Sequence, residues 1–160
     1  MSVPGAILDH LVSATEEVFE TMLFTPLERR PPVTGSFETP ANIVASVAFA
    51  GHRKGLVAVY ASTAAATRIT SGLLGIPTQE VNGEVPDAMG EIANMVAGTF
   101  RNRLAQSEPS SEIAVPTVTI GTDFCTVYSS AASRVRCPFV MEGETLAVEL
   151  ILMGEQPAAA

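Results

Sequence analysis

Apolar residues recur every three or four positions near the N-terminus, which is the spacing of one face of a helix. The pattern runs through Ile7-Leu8, Leu11-Val12, Val18-Phe19 and Met22-Leu23. Pro26 follows shortly after and cannot continue a helix. We therefore expect a long first helix that buries one face and ends before this proline.

Two β-rich runs come next and are joined by a short polar connection with glycine at both ends. The runs are Ile43–Ala50 and Leu56–Ala61, which predict a β-hairpin around residues 51–55. A second helix is expected after the hairpin, with Thr63 as its N-cap and Gly75 as its stop.

A third helix is predicted from near Pro86 to about Leu104, because proline suits the first turn of a helix. At about 100° per residue, one broad arc of this helix is apolar and should be buried. The opposite side brings together Glu91, Asn94 and Gly98 and should face solvent. Glycine inside a helix costs about 1 kcal/mol against alanine, and this helix contains both Gly90 and Gly98.

The C-terminal half is rich in β-forming residues. After a loop at Gln106–Glu112, the expected strands are Val115–Ile120, Phe124–Ser129, Arg134–Met141 and Thr145–Met153. Glu142-Gly143 is the expected turn of the last hairpin. Residues 154–160, which end in three alanines after a proline, have nothing to pack against and are expected to form a frayed tail.

These elements predict one α/β domain of the α+β type over residues 1–160, with an antiparallel or mixed sheet packed against long helices. Each half pairs a long amphipathic helix with a hairpin or small meander. This repetition hints at an internal α-β-β duplication.

Charge and hydropathy exclude several classes of protein. The formal net charge of −8 argues against nucleic acid as a partner, since phosphate backbones are bound by clustered cations. No apolar run is long enough to cross a bilayer and no secretory leader is recognisable, so we expect a cytoplasmic protein that does not insert into membranes. Cys125 and Cys137 fall in strands predicted to be neighbours and are expected to be two reduced, buried thiols.

The familiar catalytic motifs are absent: the sequence has no glycine-rich phosphate loop, HExxH, CxxC or GxSxG. His10 and His52 have no evident partner and are expected to be structural or exposed. Two interpretations of the third helix stay open on geometry alone. Glu91 and Asn94 are either ordinary solvated residues, with the glycines allowing neighbouring helices to pack closely, or they form a functional face.

The sequence resembles the CheC/CheX/FliY group of chemotaxis phosphatases, and within it the single-site CheX type. The resemblance rests on Glu91-Ile92-Ala93-Asn94 followed by Met95-Val96-Ala97-Gly98 in a central helix. Supporting segments are residues 17–23, residues 115–118 and the closing hairpin, so the likeness extends from about residue 5 to 153. The first helix lacks an Asn to complete a second Glu-x-x-Asn, which predicts one site per chain.

The resemblance implies a phosphatase that dephosphorylates the aspartyl phosphate of a CheY-like response regulator in two-component chemotaxis signalling. It implies that Asn94 orients the attacking water, that Glu91 pairs with a lysine of the regulator, and that Gly98 permits close approach of that partner. It implies no metal or cofactor of the protein's own, with Mg²⁺ bound by the regulator, and a homodimer.

Two other functions stay open. The main alternative is a non-catalytic docking or scaffold domain of a chemotaxis or motility complex, which would bind the regulator without accelerating loss of the phosphoryl group. The other is a small-molecule sensor with a pocket near the alanine-rich segment Ala61–Leu74.

Overall fold

The structure is a computed structural model that describes residues 3–34, 41–127 and 132–154. Within these ranges, three α-helices cover one face of an antiparallel sheet, with α1 at Gly5–Met22, α2 at Thr63–Leu74 and α3 at Val85–Leu104. The strands are β1 (Glu28–Arg29), β2 (Val33–Thr34), β3 (Ala41–Gly51), β4 (Gly55–Ala61), β5 (Ser111–Ile113), β6 (Thr117–Phe124), β7 (Ala132–Met141) and β8 (Glu144–Met153).

The sheet has the order β1-β7-β8-β4-β3-β5, with β2 also on β7 and β6 also on β3. Every described pairing is antiparallel. The α+β class predicted from the sequence is confirmed, and of the two sheet types considered the described strands form the antiparallel one. The two long hairpins, β3–β4 and β7–β8, meet through their inner strands β4 and β8. The internal duplication stays a prediction.

Alternation along the strands decides which side chains the helices cover. Val47 of β3, Val59 of β4, Val148 of β8 and Phe139 of β7 point toward the helices and are almost fully buried. They meet the apolar faces of α1, α2 and α3, which contribute residues such as Phe19 to the same core. This main core carries α3 and so fixes the direction in which its polar face points.

The helix-free face of the sheet has its own small cluster around Val44, Ala58 and Tyr60. Beside it lies Glu149 of β8, a fully buried carboxylate. Arg134 and Arg136 of the neighbouring strand β7 both donate hydrogen bonds to this carboxylate. The Arg136 guanidinium also stands 4.0 Å above the centre of the Tyr60 ring.

Most predicted elements occur, with informative differences at their ends. Ser62 caps α2, not Thr63: the Ser62 hydroxyl oxygen accepts a hydrogen bond from the Ala65 N–H at 3.1 Å, and Thr63 is already in the first turn. Gly75 ends that helix in a left-handed conformation, as predicted. The Glu142-Gly143 turn is also confirmed, with both residues at positive φ, as a two-residue hairpin requires.

The region before the last hairpin was predicted less well. The two strands expected at Val115–Ile120 and Phe124–Ser129 are replaced by the single strand β6, while residues 128 and 129 lie outside the described part of the chain. Strand β5 begins at Ser111, inside the predicted loop Gln106–Glu112, and the short strands β1 and β2 were not predicted. Residues 155–160 of the expected tail also lie outside the described residues.

The prediction of two buried thiols in neighbouring strands is wrong for Cys125. That residue follows β6 and is exposed, and β6 pairs with β3, whereas Cys137 lies in β7 at the far side of the sheet. Burial raises the pKa of the Cys137 thiol to about 12, so this side chain behaves as inert core material. Within the described residues, no helix is long and apolar enough to span a membrane.

Candidate functional site on helix α3

Helix α3 forms where the sequence predicts and presents the predicted face. Pro86 lies in its first turn with Asp87, while Arg101 and Arg103 lie in its last turn, so charges at both ends complement the helix dipole. Backbone N–H groups lower the pKa of the preceding Glu84 carboxyl, the N–H of Asn82 most of all. The buried side of the helix consists of Ala88, Met89, Gly90, Ile92, Ala93, Val96, Ala97, Phe100 and Leu104.

Glu91 and Asn94 lie three residues apart on the outward side of α3 and are therefore neighbours. Glu91 is exposed and Asn94 is half-buried. Among the residues that the structure describes, neither side chain makes a hydrogen bond or an ion pair. The carboxamide of Asn94 thus keeps its donors and its acceptor for groups that come from outside the chain.

The pair lies in an open depression of about 380 Å³ between α3 and the start of β6. The helix side is formed by Pro86, Asp87, Gly90, Glu91 and Asn94, and the strand side by Pro116 and Val118. The sequence did not predict that Pro116 and Val118 form one wall of this depression, because they are 22 or more residues from Asn94 along the chain. Their closeness depends on the pairing of β6 with β3, which no local pattern encodes.

The two glycines of α3 differ in what they contact. A Cβ built on Gly90 would lie 3.4 Å from Val118 Cγ2 and 3.7 Å from Pro116 Cβ. Gly90 therefore allows α3 to pack closely against β6 and the residue before it, and not against another helix. Gly98 is half-buried, and the nearest atom to a Cβ there is Ile113 Cδ1 at 4.0 Å. The interior of the protein therefore does not require a glycine at position 98.

A larger recess of about 520 Å³ lies elsewhere, lined in part by Tyr60, Arg136, Pro138 and Ala147. None of Glu91, Asn94 and Gly98 lines it. In the described ranges, no group of three or more His, Cys, Asp or Glu side chains is arranged to hold a metal ion. The chemistry available at α3 is therefore that of an amide, two carboxylates and an apolar wall.

Comparison with solved structures places this fold in a known group. A CheC-like superfamily protein from Shewanella sp. PV-4 superimposes with a TM-score of 0.86 at 21% identity, covering 95% of this chain and all of the other. The chemotaxis protein CheX from Desulfovibrio desulfuricans gives a TM-score of 0.83 at 23% identity, covering 92% and 99%. A CheX from Borrelia burgdorferi, in a CheX-CheY-BeF3-Mg²⁺ complex, gives a TM-score of 0.78 at 19% identity, covering 92% and 97%. At such identities these likenesses show the fold.

The family itself is identified by sequence. No curated protein sequence gives a significant match to the chain. The profile of the family described as chemotaxis phosphatase CheX, however, matches residues 43–140, which is more than half of the chain and includes all of α3. The chain therefore belongs to the CheX family of chemotaxis phosphatases, which confirms the family and the enzyme class predicted from its sequence.

Proposed function

We propose that the protein hydrolyses the aspartyl phosphate of a CheY-like response regulator, with Asn94 as its catalytic residue. The observation that carries this proposal is the Glu91/Asn94 pair, whose side chains make no hydrogen bond or ion pair with the described residues. The pair lines an open depression on α3, a helix that the family match includes. The Borrelia burgdorferi relative, which was solved with CheY, BeF3 and Mg²⁺, supports a regulator of this kind as the partner.

The reaction needs little from the protein beyond positioning. Water attacks phosphorus, the bond from phosphorus to the aspartyl oxygen breaks, and the products are inorganic phosphate and the free carboxylate. Phosphoryl transfer of this type depends on alignment and charge neutralisation more than on a protein nucleophile. In the proposal the regulator supplies the phospho-aspartate, the bound Mg²⁺ and a lysine, and this chain supplies no metal of its own.

Asn94 suits the task of orienting the attacking water. Its amide can donate to and accept from a water molecule, and it adds no negative charge beside an anionic phosphoryl group, as an aspartate would. Its half-buried position, in a depression that a partner can cover, favours the exclusion of other water.

Glu91 and Gly98 have docking roles in this proposal. The exposed Glu91 carboxylate would pair with the lysine beside the phosphorylation site and so fix the register of the complex. Gly98 would allow the partner's backbone to approach the helix one turn beyond Asn94. The lack of an internal reason for a glycine at 98 supports this role.

Three further expectations complete the proposal: a single domain over residues 1–160, expected from the length and the predicted elements, a cytoplasmic location, expected from the hydropathy, and a homodimer, implied by the family resemblance. Light scattering on the purified chain tests the homodimer directly. An expected result is twice the chain mass of 16.7 kDa.

The experiment that tests the activity follows the decay of a phosphorylated CheY-like regulator from the same cell, with Mg²⁺ present. Wild-type protein should accelerate the decay, and Asn94→Ala should abolish the acceleration, since alanine is favoured at an outward helical position and leaves the fold intact. Asn102→Ala is the matched control, because Asn102 is exposed on the same helix but lies outside the depression. Binding without acceleration by the wild type would instead identify a docking domain.

A further inference from the structure

Arg101 of α3 differs from the other arginines of the chain because it has no carboxylate partner. The sequence contains eight arginines, all within the described residues, and seven of them form ion pairs with glutamate side chains. Arg101 forms none within the part of the chain that the structure describes. Acidic residues outnumber basic ones by 17 to 9, so partners are plentiful. The missing ion pair is therefore a specific feature of this position.

The polar contacts that Arg101 does make are weak. Its Nε and one terminal nitrogen donate hydrogen bonds to Oδ1 of the adjacent Asn102, at 3.4 and 3.3 Å. Hydrogen bonds of this kind are usually about 2.7–3.2 Å long. A guanidinium carries several donors in a planar fork, so the half-buried Arg101 can still bind a group that comes from outside the chain.

Arg101 lies on the same side of α3 as the residues proposed to act on the regulator. Asn94, Gly98 and Arg101 follow one another at spacings of four and three residues, which places them along one stripe of the helix. At a rise of 1.5 Å per residue, Arg101 is about 10 Å beyond Asn94 and about 15 Å beyond Glu91 along the helix axis. The stripe therefore has a carboxylate at one end and a guanidinium at the other.

We infer that Arg101 is a second docking residue for the response regulator and binds a carboxylate on that partner; this inference rests on the proposed function. Glu91 would take up the regulator's lysine, and Arg101 would take up an acidic side chain about 15 Å away from it. Opposite charges at the two ends fix the direction of the partner along the helix, because the reverse direction would bring like charges together. The fork of the guanidinium suits a carboxylate, which it can bind through two parallel hydrogen bonds.

The helix dipole alone does not account for Arg101. A cation in the last turn of a helix is stabilising, but Arg103 already supplies one in the same turn. Arg103 also forms an ion pair with Glu17 of α1, so a cation at this helix end can be paired within the chain. The two arginines differ in that Arg103 is directed to a neighbouring helix, whereas Arg101 continues the outward stripe.

A response regulator suits Arg101 better than a second copy of this chain does. Arg101 and Asn94 are about 10 Å apart along one stripe, so a copy bound at Arg101 would crowd the approach to Asn94. In the proposed function that approach has to stay open to the phosphoryl group. A regulator held at both ends of the stripe covers Asn94 with the group that is to be hydrolysed.

Kinetics and binding separate this docking role from the chemistry. Arg101→Gln removes the charge but keeps a long polar side chain, and it should raise KM by roughly tenfold with kcat unchanged. The Kd for the regulator loaded with BeF3 and Mg²⁺ should rise by a similar factor, and by more in Arg101→Glu. Arg101→Lys should recover part of the affinity, because it keeps the charge but not the fork. Added salt should weaken binding of the wild type more than that of Arg101→Gln.

Two variants are matched controls. Arg103→Gln removes the same charge from the same turn of α3, so it reproduces any effect of the helix dipole. Lys54→Gln removes an exposed cation at the β3–β4 turn that, like Arg101, forms no ion pair within the described residues. Both should keep the KM and Kd of the wild type. Denaturant unfolding of all the variants checks that each one is folded.

The outcomes distinguish this inference from the function on which it rests. An active wild type with unchanged KM and Kd in Arg101→Gln would overturn the second docking residue and leave the phosphatase standing. Equal rises in Arg101→Gln and Arg103→Gln would assign the effect to the helix end, and a changed oligomeric mass in Arg101→Glu with unchanged KM would assign it to a second copy; either result overturns the inference. A wild type that binds the loaded regulator without accelerating its decay would overturn the phosphatase, while a tenfold weaker Kd in Arg101→Gln would still support the docking role. A wild type that binds no regulator would overturn both.

Discussion

Gly90 of α3 packs directly on Val118 of β6, with only 3.4 Å between Val118 Cγ2 and the position that a Cβ on the glycine would occupy. This contact sets the distance between the helix and the strand wall. Asn94 lies one turn further along the same helix, so the Gly90–Val118 contact also determines the width of the depression that Asn94 lines.

Reversal of charge at Glu91 should weaken docking without removing the chemistry. Glu91→Lys would place like charge against the regulator's lysine, and we expect KM to rise by more than tenfold, with a smaller rise for Glu91→Ala. The ratio between the two variants should shrink at high ionic strength, because exposed charges are screened.

Glu20→Lys is the control for this prediction. Glu20 is exposed on α1 and the substitution changes the net charge equally, so its KM should stay close to that of the wild type. Equal kinetics for Glu91→Lys and Glu20→Lys would contradict a specific pairing at Glu91.

Gly98→Ala separates a folding role from a docking role. The nearest atom to the new Cβ would be 4.0 Å away, so the domain has room for it, and replacing glycine inside a helix should increase the free energy of unfolding by about 0.5–1 kcal/mol. If the partner's backbone approaches here, the same methyl group should raise KM. Chemical denaturation and phosphatase kinetics on one preparation measure both effects, and higher stability with unchanged KM would remove Gly98 from the docking surface.

The periodicity of the sequence was sufficient to predict the face of α3. Glu91, Asn94 and Gly98 lie on the outward side of the helix, as the helical wheel predicts. The wall formed by Pro116 and Val118 could not be predicted in this way, because it depends on which strand pairs with β3. Cys125 was misplaced for the same reason: a β-rich pattern does not indicate where a strand ends or which strand lies beside it.

The cap of α2 offers a test of a one-residue boundary. Ser62→Ala removes the side-chain oxygen that accepts from the Ala65 N–H and should cost about 1 kcal/mol of stability. Thr63→Ala, one position inside the helix, should cost much less, since the Thr63 side chain does not cap. Thermal unfolding of the two variants compares them directly, and a larger loss for Thr63→Ala would show that the cap is assigned to the wrong residue.

The buried carboxylate of Glu149 should be the most sensitive charged position outside the site. It is fully buried and accepts hydrogen bonds from both Arg134 and Arg136, so Glu149→Leu would leave two largely buried guanidinium groups without this counter-charge. Breaking a buried ion pair from one side typically costs about 3–5 kcal/mol, enough to threaten a domain of this size.

Glu142→Leu is the control, because its pair with Arg68 is exposed and such pairs contribute at most about 1 kcal/mol. Denaturant unfolding should therefore show a shift of several kcal/mol for the first variant and almost none for the second; similar values would mean that the helix-free face is stabilised by its apolar cluster and not by these charges.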